Sequence, residues 1–119
     1  SQTITLLSKV KTTLETLAPT FRGDQLERDA NGALKAPPNT SEYFVIFFLV
    51  GVTGNVSQRL QRDTMRVTSW AQDSNAALKL QGDAELLLEQ LTSLGLGRLT
   101  YDGFSSPYQG WTREIFLHE

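Results

Sequence analysis

The sequence predicts an α+β fold: a four-stranded, mainly antiparallel sheet with two helices on one face, in the order α-β-β-α-β-β. Three observations lead there. Tyr43–Val50 is an unbroken apolar run rich in β-branched and aromatic residues, bounded by Pro37-Pro38-Asn39 and by Gly51 to Asn55, which marks a strand. Ile4, Leu7, Val10, Leu14 and Leu17 recur at spacings of three and four, which draws an apolar stripe down a helix. Ala77, Leu80, Ala84, Leu87, Leu88, Leu91 and Leu94 draw a second one.

Taken in order, the first helix runs from about Thr3 to Ala18 and stops at Pro19, because proline disfavours helical geometry in the residue before it. The stretch from about 20 to 42 holds Gly23, Gly32, adjacent prolines and many charges without a sustained period. It is expected to be a long mobile connection that orders on contact with a partner. In the Tyr43–Val50 strand, successive side chains point to opposite faces, so an unbroken run means that both faces lose water. The helices cover one face; the other is expected to meet a neighbouring subunit or a long loop. Residues 52–63 form a polar hairpin tip, and Thr64 to Ala71 returns with Met65, Val67, Ser69 and Ala71 on one face and Arg66, Thr68 and Trp70 on the other. Asp73 or Ser74 can cap the second helix with a side-chain oxygen. Gly95 followed by Leu96 suits a left-handed helix end. Gly97 to Tyr101 and Gly110 to His118 then make a closing hairpin.

Composition narrows the function. The 119 residues read as a single domain, 1–119, with 11 basic and 13 acidic residues scattered along it. Phosphate binding needs clustered Lys and Arg, so specific nucleic-acid binding is not expected. Without cysteine there are no disulfides, thiolate metal sites or cysteine nucleophiles. No basic leader precedes an apolar stretch, and the Tyr43 run is too short for a membrane-spanning helix, so a soluble protein without membrane contact is expected. His118, the single histidine, has no nucleophile or second ligand to work with. Glu85 and Glu89, one turn apart, read as the solvated side of a helix rather than an acid-base pair. Gly95-Leu96-Gly97 follows a helix, the wrong order for a phosphate loop, and Arg22-Gly23-Asp24 is a common tripeptide in a polar loop. Arg59, Arg62 and Arg66 make a modest basic cluster balanced by Asp63. The expectation is a protein that is not an enzyme and holds no cofactor or metal. Phe44, Ile46, Phe48, Val50, Trp70 and Trp111 are the candidate subunit interface, because buried aromatic residues dominate binding energies, although Trp70 and Trp111 read equally well as core residues of their strands. Arg22, Asp24, Arg59, Arg62 and Asp63 are candidate partner contacts in loops.

From about residue 38 onward the chain resembles the tail-terminator, or tail-completion, proteins of long-tailed bacteriophages. The resemblance rests on a first helix of similar length and on Ser41-Glu42-Tyr43-Phe44-Val45-Ile46-Phe47 after a Pro-bounded loop. It continues in Met65-Arg66-Val67-Thr68-Ser69-Trp70-Ala71 passing directly into Gln72-Asp73-Ser74-Asn75-Ala76-Ala77-Leu78, and in Gly110-Trp111-Thr112-Arg113-Glu114-Ile115-Phe116-Leu117. Residues Thr20 to Asn39 match nothing in that pattern. The resemblance implies a virion protein, assembled in the host cytoplasm, that forms a hexameric ring at the head-proximal end of the tail tube. There it stops tube polymerisation and offers a surface for head joining. Its partners would be its own copies, the tail-tube protein and the head connector, with the genome passing through the ring. Two other readings stand beside it: a head-side neck or connector protein, and a small ferredoxin-like ligand-binding domain that dimerises through its sheet. An RNA-binding version of the latter would interleave basic residues with stacking aromatics, and Tyr43–Val50 has no basic residue.

Overall fold

The computed structural model describes residues 2–32, 35, 39–50, 63–91, 93–102 and 108–118. It is a mixed α+β structure with two helices and a five-stranded sheet. The elements are α1 (Gln2–Glu15), β1 (Thr20–Arg22), a 3-10 turn (Gly23–Gln25), β2 (Tyr43–Val50), β3 (Asp63–Ala71), α2 (Ser74–Leu91), β4 (Ser93–Asp102) and β5 (Gln109–His118). Across the sheet the order is β1-β2-β3-β5-β4. Four strands form the expected antiparallel set, and β1 adds a short parallel edge through Thr20↔Phe44 and Arg22↔Ile46.

α1 gives way to turns after Glu15, three residues before the expected Ala18, with the amides of Leu17 and Ala18 both donating to the Leu14 carbonyl at 2.9 and 3.2 Å. At the start of α2, Asp73 is the cap: its Oδ1 accepts from the Asn75 amide at 3.0 Å, and its carbonyl accepts from the Ala77 amide. Such a cap contributes about 1 kcal/mol. The expected left-handed helix end at Gly95 is corrected. α2 stops at Leu91, and Leu94, Gly95 and Leu96 lie in β4 opposite Leu117, Phe116 and Ile115. Gly97 is small for a reason of the sheet: a Cβ there would come within 3.0 Å of Glu114 and Phe116.

The main core lies between the helices and one sheet face. Val10, Leu14 and Ala18 meet Leu80, Ala84 and Leu88 over Phe44, Ile46, Met65, Val67 and Ile115, all buried. One polar pair is sealed within this layer. The Ser69 hydroxyl lies 2.5 Å from the Gln81 side-chain amide, and Gln81 is 1% exposed. With its nitrogen turned to the sheet, that amide also donates to the Val67 and Trp111 carbonyls at 3.2 Å. At the outer side of α2, Arg113 of β5 pairs with Glu85 through two contacts of 3.3 Å and donates to the Gly97 carbonyl at 3.0 Å. It thereby ties helix, β5 and the irregular step in β4 between Leu96 and Leu99.

The opposite face holds a second, smaller core. Tyr43, Val45, Trp70 and Tyr108 are buried there, with Phe21, Leu26 and Phe47 packed against them. Phe21 meets Tyr43 edge to face at 6.2 Å between centroids, and Tyr108 does so at 5.2 Å. Trp70 stacks on Tyr43 at 6.3 Å and lies over Gly110, where a Cβ would fall 2.8 Å from the indole. The Tyr108 hydroxyl donates to the Thr40 carbonyl. The expected mobile connection therefore folds back in part as β1 and a strap, residues 20–26, that closes over β2. Beyond it, the Lys35 amide donates to the Glu27 carbonyl at 2.9 Å around a turn at Gly32, whose φ of 83° favours glycine. The hairpin tip 52–62 lies outside the described residues.

Candidate functional site

The surface left for partners follows from which parts of the sheet the helices and the strap fail to cover. α2 sits over β3 and β5, and α1 sits over the β1–β2 side. β4 therefore projects beyond the helix layer. Its helix-side residues are Leu94, Leu96, Leu99 and Tyr101, by register with Leu117, Ile115, Arg113 and Trp111. Leu94 packs on the main core, while Leu96 and Tyr101 are 43% and 47% exposed. Tyr101 leans on Trp111 at 5.2 Å between ring centroids, and its hydroxyl donates to Gln109 Oε1 at 2.6 Å. The Trp111 indole nitrogen donates to the Ser74 carbonyl at 3.1 Å, which fixes the ring against the start of α2.

On the other face, the second core covers β2 and the Trp70 end of β3, and among the described residues the strap does not reach β5 or β4. The part beyond it is polar. Thr68 and Thr112 share a hydrogen bond of 2.8 Å, and Thr100 is the register partner of Thr112. Arg66, Arg98, Thr100, Asp102, Thr112 and Glu114 line a shallow concavity of about 280 Å³ here. At the opposite flank, the β1 edge and the end of α1 bound a second hollow of about 450 Å³, lined by Lys11, Glu15, Phe21, Arg22, Gln25 and Leu26.

The sequence-expected interface residues divide sharply. Phe44 and Ile46 are 0% and 2% exposed beneath the helices, so they have no surface to offer a neighbour; this corrects their assignment to an interface. Phe48 packs half-buried against the same core. Val50 is the register partner of Asp63 where β2 and β3 meet. Trp70 is 7% exposed and spent on the second core. Trp111 stands half-buried at an open margin, beside exposed Tyr101. Among the loop residues, Arg22 and Asp24 form an exposed ion pair of 3.0 Å on the β1 flank, on either side of buried Gly23. Arg59 and Arg62 lie outside the described residues.

Sequence reasoning missed Leu96 and Tyr101. Their signal was the alternation Leu94, Leu96, Leu99, Tyr101, broken by Gly95 and Gly97 and by one extra residue, and glycine lowers strand propensity. The chemistry of the site is that of contact. Glu85 is committed to Arg113, and among the described residues no three His, Asp or Glu side chains gather where they could hold a metal ion. Tyr43 has its pKa pushed up to about 12, first by burial and then by the neighbouring Tyr108, which keeps its hydroxyl neutral within the second core. No helix among the described residues is long and apolar enough to cross a membrane. No known family model matches the chain, and no curated protein matches it significantly.

Proposed function

We propose that the protein is a non-enzymatic structural subunit of a phage tail, forming a ring at the head-proximal end of the tail tube. In that position it stops tube growth and offers the surface for head joining. The observation that carries the reading is the pair of unlike flanks. A subunit in a closed ring binds its neighbours head to tail, so it needs two different surfaces on opposite sides. The sheet order puts the short β1 edge, with the Arg22–Asp24 pair, on one flank and the long β4 edge, with exposed Leu96 and Tyr101, on the other. The resemblance in the strand-to-helix passage Met65–Leu78 and in the closing strand supplies the context. The doubly apolar β2 strand no longer argues for a neighbour, because the strap covers its second face.

The test is tail length and head attachment in particles lacking this chain. A terminator's absence gives over-long or uneven tails together with unjoined heads. Tails of normal length beside heads that fail to join would point to a head-side connector, and particles without either defect would refute a virion role. A second reading, a small domain that dimerises through its sheet, is favoured by one observation, the exposed β4 edge with its polar concavity.

A further inference from the structure

The β4 edge is complementary to itself. We propose that the free protein forms a two-fold pair by antiparallel contact of β4 with β4 of a second copy. The pair is centred on Thr100, with Arg98 of each chain facing Asp102 of the other. This does not rest on the ring reading, and a ring contact through β4 would compete with it for the same edge.

β4 ends the sheet, and among the described residues no strand pairs with its outer side, whereas the opposite edge strand, β1, is three residues long. In a two-fold antiparallel pair, residues equally far from the centre on either side face each other. Centring on Thr100 puts Arg98 opposite Asp102 twice, once for each chain. On the helix side it sets Leu99 opposite Tyr101, also twice. Both charges are exposed, and neither forms an ion pair with another described residue of its own chain. Moving the centre to residue 98 or 102 would set like charges opposite each other, which destabilises a strand pair. Moving it to 99 would set Arg98 against Thr100. Charge therefore selects one register.

Both faces of the sheet agree with it. Arg98, Thr100 and Asp102 line the polar concavity on the open face, so the two ion pairs would form there. The row Thr68–Thr112–Thr100 would run on through the axis into its copy. On the helix side, the exposed Tyr101 ring would be covered by Leu99 of the second chain. The irregular step between Leu96 and Leu99 limits regular pairing to about residues 98–102, so the contact is small. Small interfaces of this kind dissociate on the order of 1–100 µM.

Sedimentation equilibrium from roughly 1 µM to 1 mM, a range that brackets this affinity, should show a monomer–dimer equilibrium. Arg98→Asp turns both facing pairs from attraction to repulsion and should weaken dimerisation by about tenfold or more. Asp102→Arg should do the same, and the double reversal R98D/D102R should return it to within about threefold of the parent. Unfolding in urea checks that the exposed substitutions leave each variant folded. The chain has no cysteine, so Thr100→Cys should give a disulfide-linked dimer under mild oxidation, while Thr12→Cys on exposed α1 should not. A strictly monomeric parent, a double reversal that stays monomeric, or a larger ring in place of the dimer would overturn the proposal. The last of these would leave the ring reading standing. A dimer that passes every test, from a chain whose loss leaves tails and heads normal, would refute the ring and keep the pair.

Discussion

Adding one methyl group at Gly23 tests whether the chain itself seals the second face of β2. Gly23 lies in the strap against the Phe47 ring, and a Cβ there would come inside 3.0 Å of three ring atoms, closer than real Cβ contacts. Its backbone is not in the left-handed region, so alanine is conformationally allowed. By the unfolded-state entropy alone, Gly23→Ala would then stabilise by about 0.4–1 kcal/mol. Against this stands overpacking, which costs about 1–3 kcal/mol when a ring must swing out or a strap must lift. The net expectation is a loss of about 1–2 kcal/mol. Urea unfolding should show this as a lower midpoint at unchanged slope. Lifting the strap exposes Tyr43, Val45 and Phe47, so the variant should also bind an apolar dye more strongly. The decisive measurement is the cycle with Phe47→Ala, which removes the obstructing ring. In that background Gly23→Ala should be neutral or slightly stabilising, giving a coupling of about 1–2 kcal/mol. Equal costs in both backgrounds would refute the reasoning, because Gly23 and Phe47 would then not be in contact.

Arg113→Ala and Glu85→Ala should each destabilise by about 1–3 kcal/mol, since the pair is largely buried and Arg113 also holds the Gly97 carbonyl; a double-mutant cycle with coupling below about 0.5 kcal/mol would count against that geometry. Gln81→Leu keeps the volume but removes the amide from Ser69 and the sheet carbonyls, so it should cost about 1–3 kcal/mol in urea unfolding, and a neutral result would mean that the buried pair contributes nothing. The Tyr43 hydroxyl has a folded pKa of about 12 against 10.0 for an unperturbed tyrosine. A raised pKa favours the protonated, folded form, so its contribution is fully present below pH 10.0 and is lost as pH rises towards 12. Alkaline titration followed by phenolate absorbance should show a late-titrating tyrosine that disappears in Tyr43→Phe.

Local patterns in the sequence carry most of the fold. Tyr43–Val50 is a strand over its expected residues, because eight β-branched, aromatic and aliphatic side chains in a row leave little choice. Asp73 caps α2, and Met65, Val67 and Ser69 turn together towards the helices as their alternation requires. Each of these depends on neighbours within a turn or a strand. The covering of β2 was decided at long range. The strap contributes few apolar residues, chiefly Phe21 and Leu26, and their partners lie in β2, β3 and the segment before β5. A composition that reads as polar and mobile is therefore compatible with a fixed strap, since only the apolar face waiting on β2 gives it something to hold. The same holds for parity: alternation says that the two sides of β2 differ, and the crossing of α1 and α2 decides that Phe44 and Ile46, rather than Tyr43 and Val45, face the helices. For β4, Leu94 continues the helical period of α2 and Gly95 looks like its end. Pairing with β5 from Ser93 onward overrides that local preference, because an extended segment beside an open strand satisfies its backbone along its length, whereas one more helical turn would leave β5 as a bare edge.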